Sequence, residues 1–292
     1  MNEQRDAHHR MRELSERHLG PDYADQLVRS AVWLSHGVPS GRSRLGGNPL
    51  LPPGSDWPTW GDEPLNFLAL VDCAEITALD ESIGLPRTGF LNFFCGAGND
   101  HPWGLDPDEA DGWRVIHTSA ADAVDTPAPD GAWVTPAHPM RLTPSGPEIG
   151  DAFLAGYDSY PDEEESELPA EARERLDALV TAWAEVGLTS VWRPSGPAHQ
   201  IGGWPEPVQE MPWRDAQFAA SGVNTNKRDY YRDPGFDEVV RGIPEWRLLL
   251  QVDTDSTLDW QWGDFGRLYF VIRADDLRAG DFGRVWMTGQ CY

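Results

Sequence analysis

Long apolar runs are missing from this chain. No stretch supplies the roughly 18 to 20 apolar residues that a membrane span requires. The opening MNEQRDAHHRMRELSERHLG is charged throughout, with no apolar signal core. The expected location is therefore cytoplasmic. Cysteine is scarce: Cys73, Cys95 and Cys291 form an odd, widely spaced set without CxxC spacing. That excludes a disulfide framework and leaves reduced thiols as the expectation. Basic residues are few, 23 Lys and Arg against 48 Asp and Glu, for a net charge of -25. Such a field repels phosphate backbones and anionic lipid, so nucleic acid and membrane partners are disfavoured. Catalytic signatures are absent too: no GxSxG elbow, no HExxH or HxxxH, no GxGxxG and no GxxxxGK[ST].

Aromatic and apolar residues are plentiful, with 14 Trp and a hydrophobic share of 40%, enough for a substantial core. Residues 1–38 read as an N-terminal helical segment of two short helices broken at Gly20-Pro21. Residues 39–150 read as a first β-rich unit, with strands over Leu65 to Val71, Gly89 to Phe94 and Trp113 to Thr118 and a further one near Met140 to Leu142. Its residues 121–138 are Ala, Asp and Pro rich and suggest an exposed linker. Residues 151–196 hold an acidic linker and a helix predicted to bury Leu176, Leu179, Val180 and Trp183 on one face. Residues 197–292 read as a second β-rich unit, packed with the first as one α+β domain.

The second unit echoes the first. Gly202-Gly203-Trp204-Pro205 matches Gly46-Gly47-Asn48-Pro49, WRLLLQVD at 246–253 answers LNFLALVD at 65–72, and GRLYFV at 266–271 answers GFLNFF at 89–94. GRVWMT at 283–288 answers GWRVIHT at 112–118, so four blocks recur in one order, as an internal duplication predicts. The GGNPLLPPGSDWP stretch, the GFLNFF strand, the HQIGGWP loop and the closing LLLQVD, WGDFGRLYFVI, DDL and QCY elements resemble the YwqG-like proteins, a bacterial group of unknown function. The resemblance covers about residues 40 to 292. It implies an α+β fold with related, pseudo-symmetric halves and implies no activity. Family members carry Gln where this chain has Leu70, so the contact made by that Gln must be lost or replaced, whereas Gln251 keeps it in the second unit.

The binding candidates follow from these blocks. Gly46, Gly47, Gly202 and Gly203 allow close backbone approach to a ligand, although tight turns against a sheet need the same residues. His199 and Gln200 sit where a loop could present them, and Trp57, Trp204 and Trp262 lie in or beside loops, where exposed rings would line a groove. Asp253, Asp255, Asp259 and Asp264 place hard oxygen ligands at short intervals, so a divalent cation is the one cofactor the residues suggest. The loop fails as an EF-hand, because Leu258 stands where Gly is needed. The expectation is a non-catalytic protein that binds a protein partner or small ligand in a cleft between the two units, immunity-like against a basic toxin in one form. The alternative is a metal-dependent hydrolase built on the Asp loop.

Overall fold

The computed structural model describes residues 2–96, 101–150, 170–186, 193–227 and 235–292. Two antiparallel sheets dominate the fold. In chain order the strands are β1 (Val28–Ser35), β2 (Arg44–Leu45), β3 (Leu50–Leu51), β4 (Thr59–Trp60), β5 (Glu63–Pro64), β6 (Asn66–Asp72), β7 (Phe90–Cys95) and β8 (Trp113–Thr118). They continue with β9 (Val124–Asp125), β10 (His138–Pro139), β11 (Arg141–Ile149), β12 (His199–Gly202), β13 (Trp246–Asp253), β14 (Arg267–Arg273) and β15 (Trp286–Gln290). One sheet runs β10-β2-β6-β7-β8 and the other β11-β1-β12-β13-β14-β15. The fold is α+β, as the sequence implies.

The central strands are continuous apolar runs because both of their faces are covered. All six residues of β7 are buried, as are the first six of β6. The sheets pack face to face. Phe93 meets Phe270 edge-on at 5.3 Å, Trp113 meets Trp286 at 4.8 Å, and the Trp113 indole donates to the Val285 carbonyl. These large rings fill the space between the two units, so the cleft expected there is closed core. The other face of the smaller sheet is covered by the Gly-Pro-rich loop, whose Leu50, Leu51 and Leu65 pack with Phe67, Phe90 and Phe94.

Helices close the remaining faces: α1 (Asn2–Leu19), α2 (Pro21–Leu27), α3 (Cys73–Leu79), α4 (Ala170–Glu185), α5 (Pro212–Ala220), α6 (Phe236–Val240) and α7 (Ala274–Ala279). Asp72 ends β6 and caps α3, its carboxylate accepting the Ala74 N–H. Leu176 and Leu179 of α4 are buried with Leu19 and Leu27, and Trp183 packs beside them. Val180, predicted on the same face, instead points to solvent at 54% exposure. One Val can be left out because Leu176, Leu179 and Trp183 already span the contact.

Two further expectations change. The segment up to His36 is not wholly helical. The chain leaves α2 at Leu27 and runs as β1 between β11 and β12 inside the six-stranded sheet. Six successive residues, Arg29 to Leu34, are buried there, and burial on both faces removes the alternation that marks a strand in sequence. The expected linker over 121–138 is exposed at Val124, Trp133 and Val134 but turns inward at Thr135, which is 5% exposed. Its carbonyl accepts the Gly47 N–H, and its hydroxyl accepts the Trp260 indole N–H at 2.7 Å. Among the described residues no helix is long and apolar enough to cross a membrane.

Candidate functional site

Both double-glycine turns adopt consecutive left-handed conformations, φ +65° and +80° at Gly46 and Gly47 and +66° and +75° at Gly202 and Gly203. A side chain at Gly46 would strike the Pro136 and Thr135 carbonyls, and one at Gly203 would lie 2.6 Å from the Ala31 Cβ. Glycine is therefore required at both turns by backbone angle and by close approach, to the 135–136 loop at Gly46 and to β1 at Gly203.

Behind each turn, side chains from the sheet latch the loop that follows. Gln251 accepts the Glu206 N–H and donates to the Ala198 carbonyl. Tyr269 donates to the Glu206 carbonyl, and Gln290 accepts the Val208 and Gln209 N–H groups while donating to the Glu210 carbonyl. In the five-stranded sheet Asn92 acts similarly, accepting the Leu50 N–H and donating to the Leu50 carbonyl. Asn92 is the cross-strand neighbour of Leu70.

His199 and Gln200 belong to this scaffold. His199 is 1% exposed; its Nδ1 accepts the Asp253 N–H at 3.1 Å, which leaves Nε2 to carry the proton and donate to Asp255. His36, at the end of β1, bonds the same Asp255 oxygen at 2.6 Å, and the other oxygen accepts the Thr257 N–H. Burial pushes the His199 imidazole down, which keeps it neutral. Burial alone would raise the Asp255 carboxyl, but the bonds from His199 and His36 outweigh it and hold the group well below the usual carboxylate range. Gln200 donates to the Gly202 and Trp204 carbonyls and accepts from Arg193.

The four aspartates do not converge. Asp253 accepts from Ala198, Thr254 and Arg267, Asp255 is held by the two imidazoles, and Asp259 and Asp264 face solvent. Among the described residues no group of three or more His, Cys, Asp or Glu is placed to hold a metal. The loop is shaped by backbone-bonded Asp residues instead, with Asp255 closing a short turn against Trp260. Nor do the loop tryptophans make an exposed groove. Trp260 and Trp262 are 1% and 3% exposed, and the half-buried Trp57 stacks edge-on against Phe94 and donates to the Leu65 carbonyl.

An open cavity of about 370 Å³ lies where α1 and α2 cross the six-stranded sheet, and Gly202 and Gly203 form part of its wall. Three guanidiniums reach it. Arg12 of α1 pairs with both oxygens of Asp80 at 2.8 and 2.9 Å and donates to the Ser30 hydroxyl. Arg29 of β1 lies 4.1 Å over the Trp204 ring and 5.2 Å over the Trp213 ring. Arg247 of β13 bonds Asp25, a 74% exposed carboxylate at the rim. Glu16 and Asp25 supply acids, and Ala24, Val28, Ile83 and Leu248 supply apolar wall. Of the nine predicted binding residues, Gly202 and Gly203 line this cavity and Trp204 supports Arg29 from below. The cationic residues were not legible, since α1, β1 and β13 are far apart in sequence and a lone Arg carries no local signal.

The model of a family described as a domain of unknown function, DUF1963, matches residues 43–291. No curated protein matches the chain. The matched span includes both double-glycine turns and the latching glutamines but not α1, α2 or β1, so one side of the cavity is built by residues outside it.

Proposed function

The chain belongs to this family of unknown function, and on that premise we propose that it is a YwqG-like, non-catalytic binding protein whose small-molecule site is the cavity beneath α1 and α2. The cavity itself carries this reading. It lies within the usual range for ligand sites, about 300 to 1,000 Å³, and is walled by backbone held rigid at Gly202 and Gly203. Its mixture of guanidinium, carboxylate, hydroxyl and aliphatic surface is set up to orient a ligand. No nucleophile and base with a third orienting group converge among the lining residues, which favours binding over turnover.

We also read the two sheets as copies of one ancestral unit. In each, a strand bulges next to the residue whose neighbours pair across it, at Phe67/Ala69 and at Leu248/Leu250. The side chains of Ser43 and His199 occupy matching places, each accepting the N–H of the aspartate that ends the next strand, Asp72 or Asp253. The copies differ in their helices: one has α3 after β6, the other α7 after β14 and also α5 and α6 between β12 and β13. The second double-glycine turn has α1, α2 and β1 laid against it, which supports reading the ligand site at that turn.

Thermal-shift screening of purified protein against a metabolite panel tests the binding reading. A ligand at 100 times its dissociation constant adds about 2.7 kcal/mol to stability. Ser82→Trp, at an exposed wall position, should abolish the shift while leaving the unliganded melt in place. A panel with no hits, or a hit indifferent to Ser82→Trp, overturns the assignment. A basic protein partner for the acidic surface is the reading that would then remain.

A further inference from the structure

The charge arrangement around this cavity narrows the chemistry of what fits. A purely anionic ligand would be drawn to Arg12, Arg29 and Arg247 but would face Glu16 and Asp25 across about the same space, and a purely cationic one would meet the three guanidiniums. Arg12 is already matched by Asp80 in a two-oxygen pair. The exchangeable charges are those at the rim, where Arg247 bonds the exposed Asp25 at 2.7 Å. Arg247 is held in place by the Pro244 and Trp246 carbonyls, but its partner Asp25 is 74% exposed, so that carboxylate can be exchanged for another. A ligand carrying both signs can insert into this pair, with its anionic end replacing Asp25 on Arg247 and its cationic end facing Asp25 and Glu16.

Resting on the binding reading above, we propose that the cavity takes a small aliphatic α-amino acid zwitterion. Its carboxylate pairs with the Arg247 guanidinium, its ammonium group lies against Glu16 and Asp25, and its side chain lies on the wall of Ala24, Val28, Ile83 and Leu248. One terminal nitrogen of Arg247 is committed to the Pro244 and Trp246 carbonyls, so the ligand carboxylate is met by the other, the one that bonds Asp25. Both charged ends of the ligand find partners, which is what burial of a polar molecule requires. The ligand class thus follows from the presence of both signs and of aliphatic side chains in the lining of one cavity.

The test is calorimetric titration with L-leucine, N-acetyl-L-leucine, L-leucinamide, succinate and inorganic phosphate. Leucine should bind saturably, and each blocked derivative should bind at least about tenfold more weakly, the factor expected for loss of one charge-assisted bond worth roughly 1.5–3 kcal/mol. Glu16→Gln, at an exposed position that leaves folding intact, should erase the preference for leucine over its N-acetyl form but not over its amide. Arg247→Gln should do the reverse, with the unliganded melt confirming that the variant folds. Binding of leucine that neither variant changes overturns the placement. Binding of succinate or phosphate without leucine overturns the zwitterion while leaving a ligand site in the cavity. Failure of every compound here and of the wider panel removes both readings.

Discussion

Asp255→Asn isolates the polar junction between β1, β12 and the loop after β13. The native carboxylate accepts three bonds, from His36, His199 and Thr257, with no exposed oxygen to spare at 1% accessibility. An asparagine can turn its carbonyl oxygen to the two imidazoles, but its NH₂ then faces the Thr257 N–H, donor against donor. That lost bond costs about 1–2 kcal/mol. Weakening the bond to His199 from charge-assisted to neutral costs about 1 kcal/mol more, and the bond to His36, a third exposed, about half of that. The sum is about 3 kcal/mol, or about 5 °C in melting temperature for a chain of this size.

The pH dependence of the same variant carries the sign. Asp255 is depressed in the native state, so its contribution is complete above the unfolded carboxyl value of about 3.9 and fades as pH falls through the native one. His199 is lowered as well. Below about pH 6.5 an unfolded imidazole takes a proton that the native one refuses, so stability falls as pH drops from there toward the native value. Scanning calorimetry between pH 8 and pH 3 should show the wild-type and Asp255→Asn melts well apart down to about pH 4, with the gap beginning to narrow only below about pH 3.9. A difference below about 2 °C at pH 7 would refute the assignment of Asp255 as the anchor of this junction.

Asn92→Leu should destabilise the chain by about 2–4 kcal/mol, because it strands the buried N–H and carbonyl of Leu50 together; urea unfolding measures the change. Cys73 and Cys95 are buried, and burial pushes the Cys73 thiol up to about 12 and Cys95 higher still. A thiol reagent at pH 8 should therefore modify the half-buried Cys291 alone in the native protein and all three cysteines in guanidinium.

What the sequence disclosed and what it withheld divide along a physical line. The strands at 66–72, 90–95, 246–253 and 267–273 were legible because each is a compact apolar run bounded by Gly, Pro or Asp, and the double-glycine turns because only glycine tolerates their angles. β1 is hidden in the sequence because Leu27, Val28 and Leu34 also fit a helical spacing, and only the tertiary fold shows Arg29 lying on two indoles. The aspartate spacing at 253–264 suggested a cation site, but ligation depends on where carboxylates point, and neighbouring backbone and imidazole donors claim two of them. The role of His36 is not legible in the sequence because its partner lies 219 positions away.

The placement of β1 bears on how the chain is made. Ala31 and Val32 pair on one side with β11 and on the other with Gly202 and Ile201. At a synthesis rate of about 5–20 residues per second, β1 leaves the ribosome on the order of ten seconds or more before β12 exists to cover it. For that interval a newly made apolar strand offers an open row of hydrogen-bonding groups, the feature through which nascent chains join one another. Arg29, set within that strand, puts a charge on the waiting edge and works against such pairing until the C-terminal half arrives to close it.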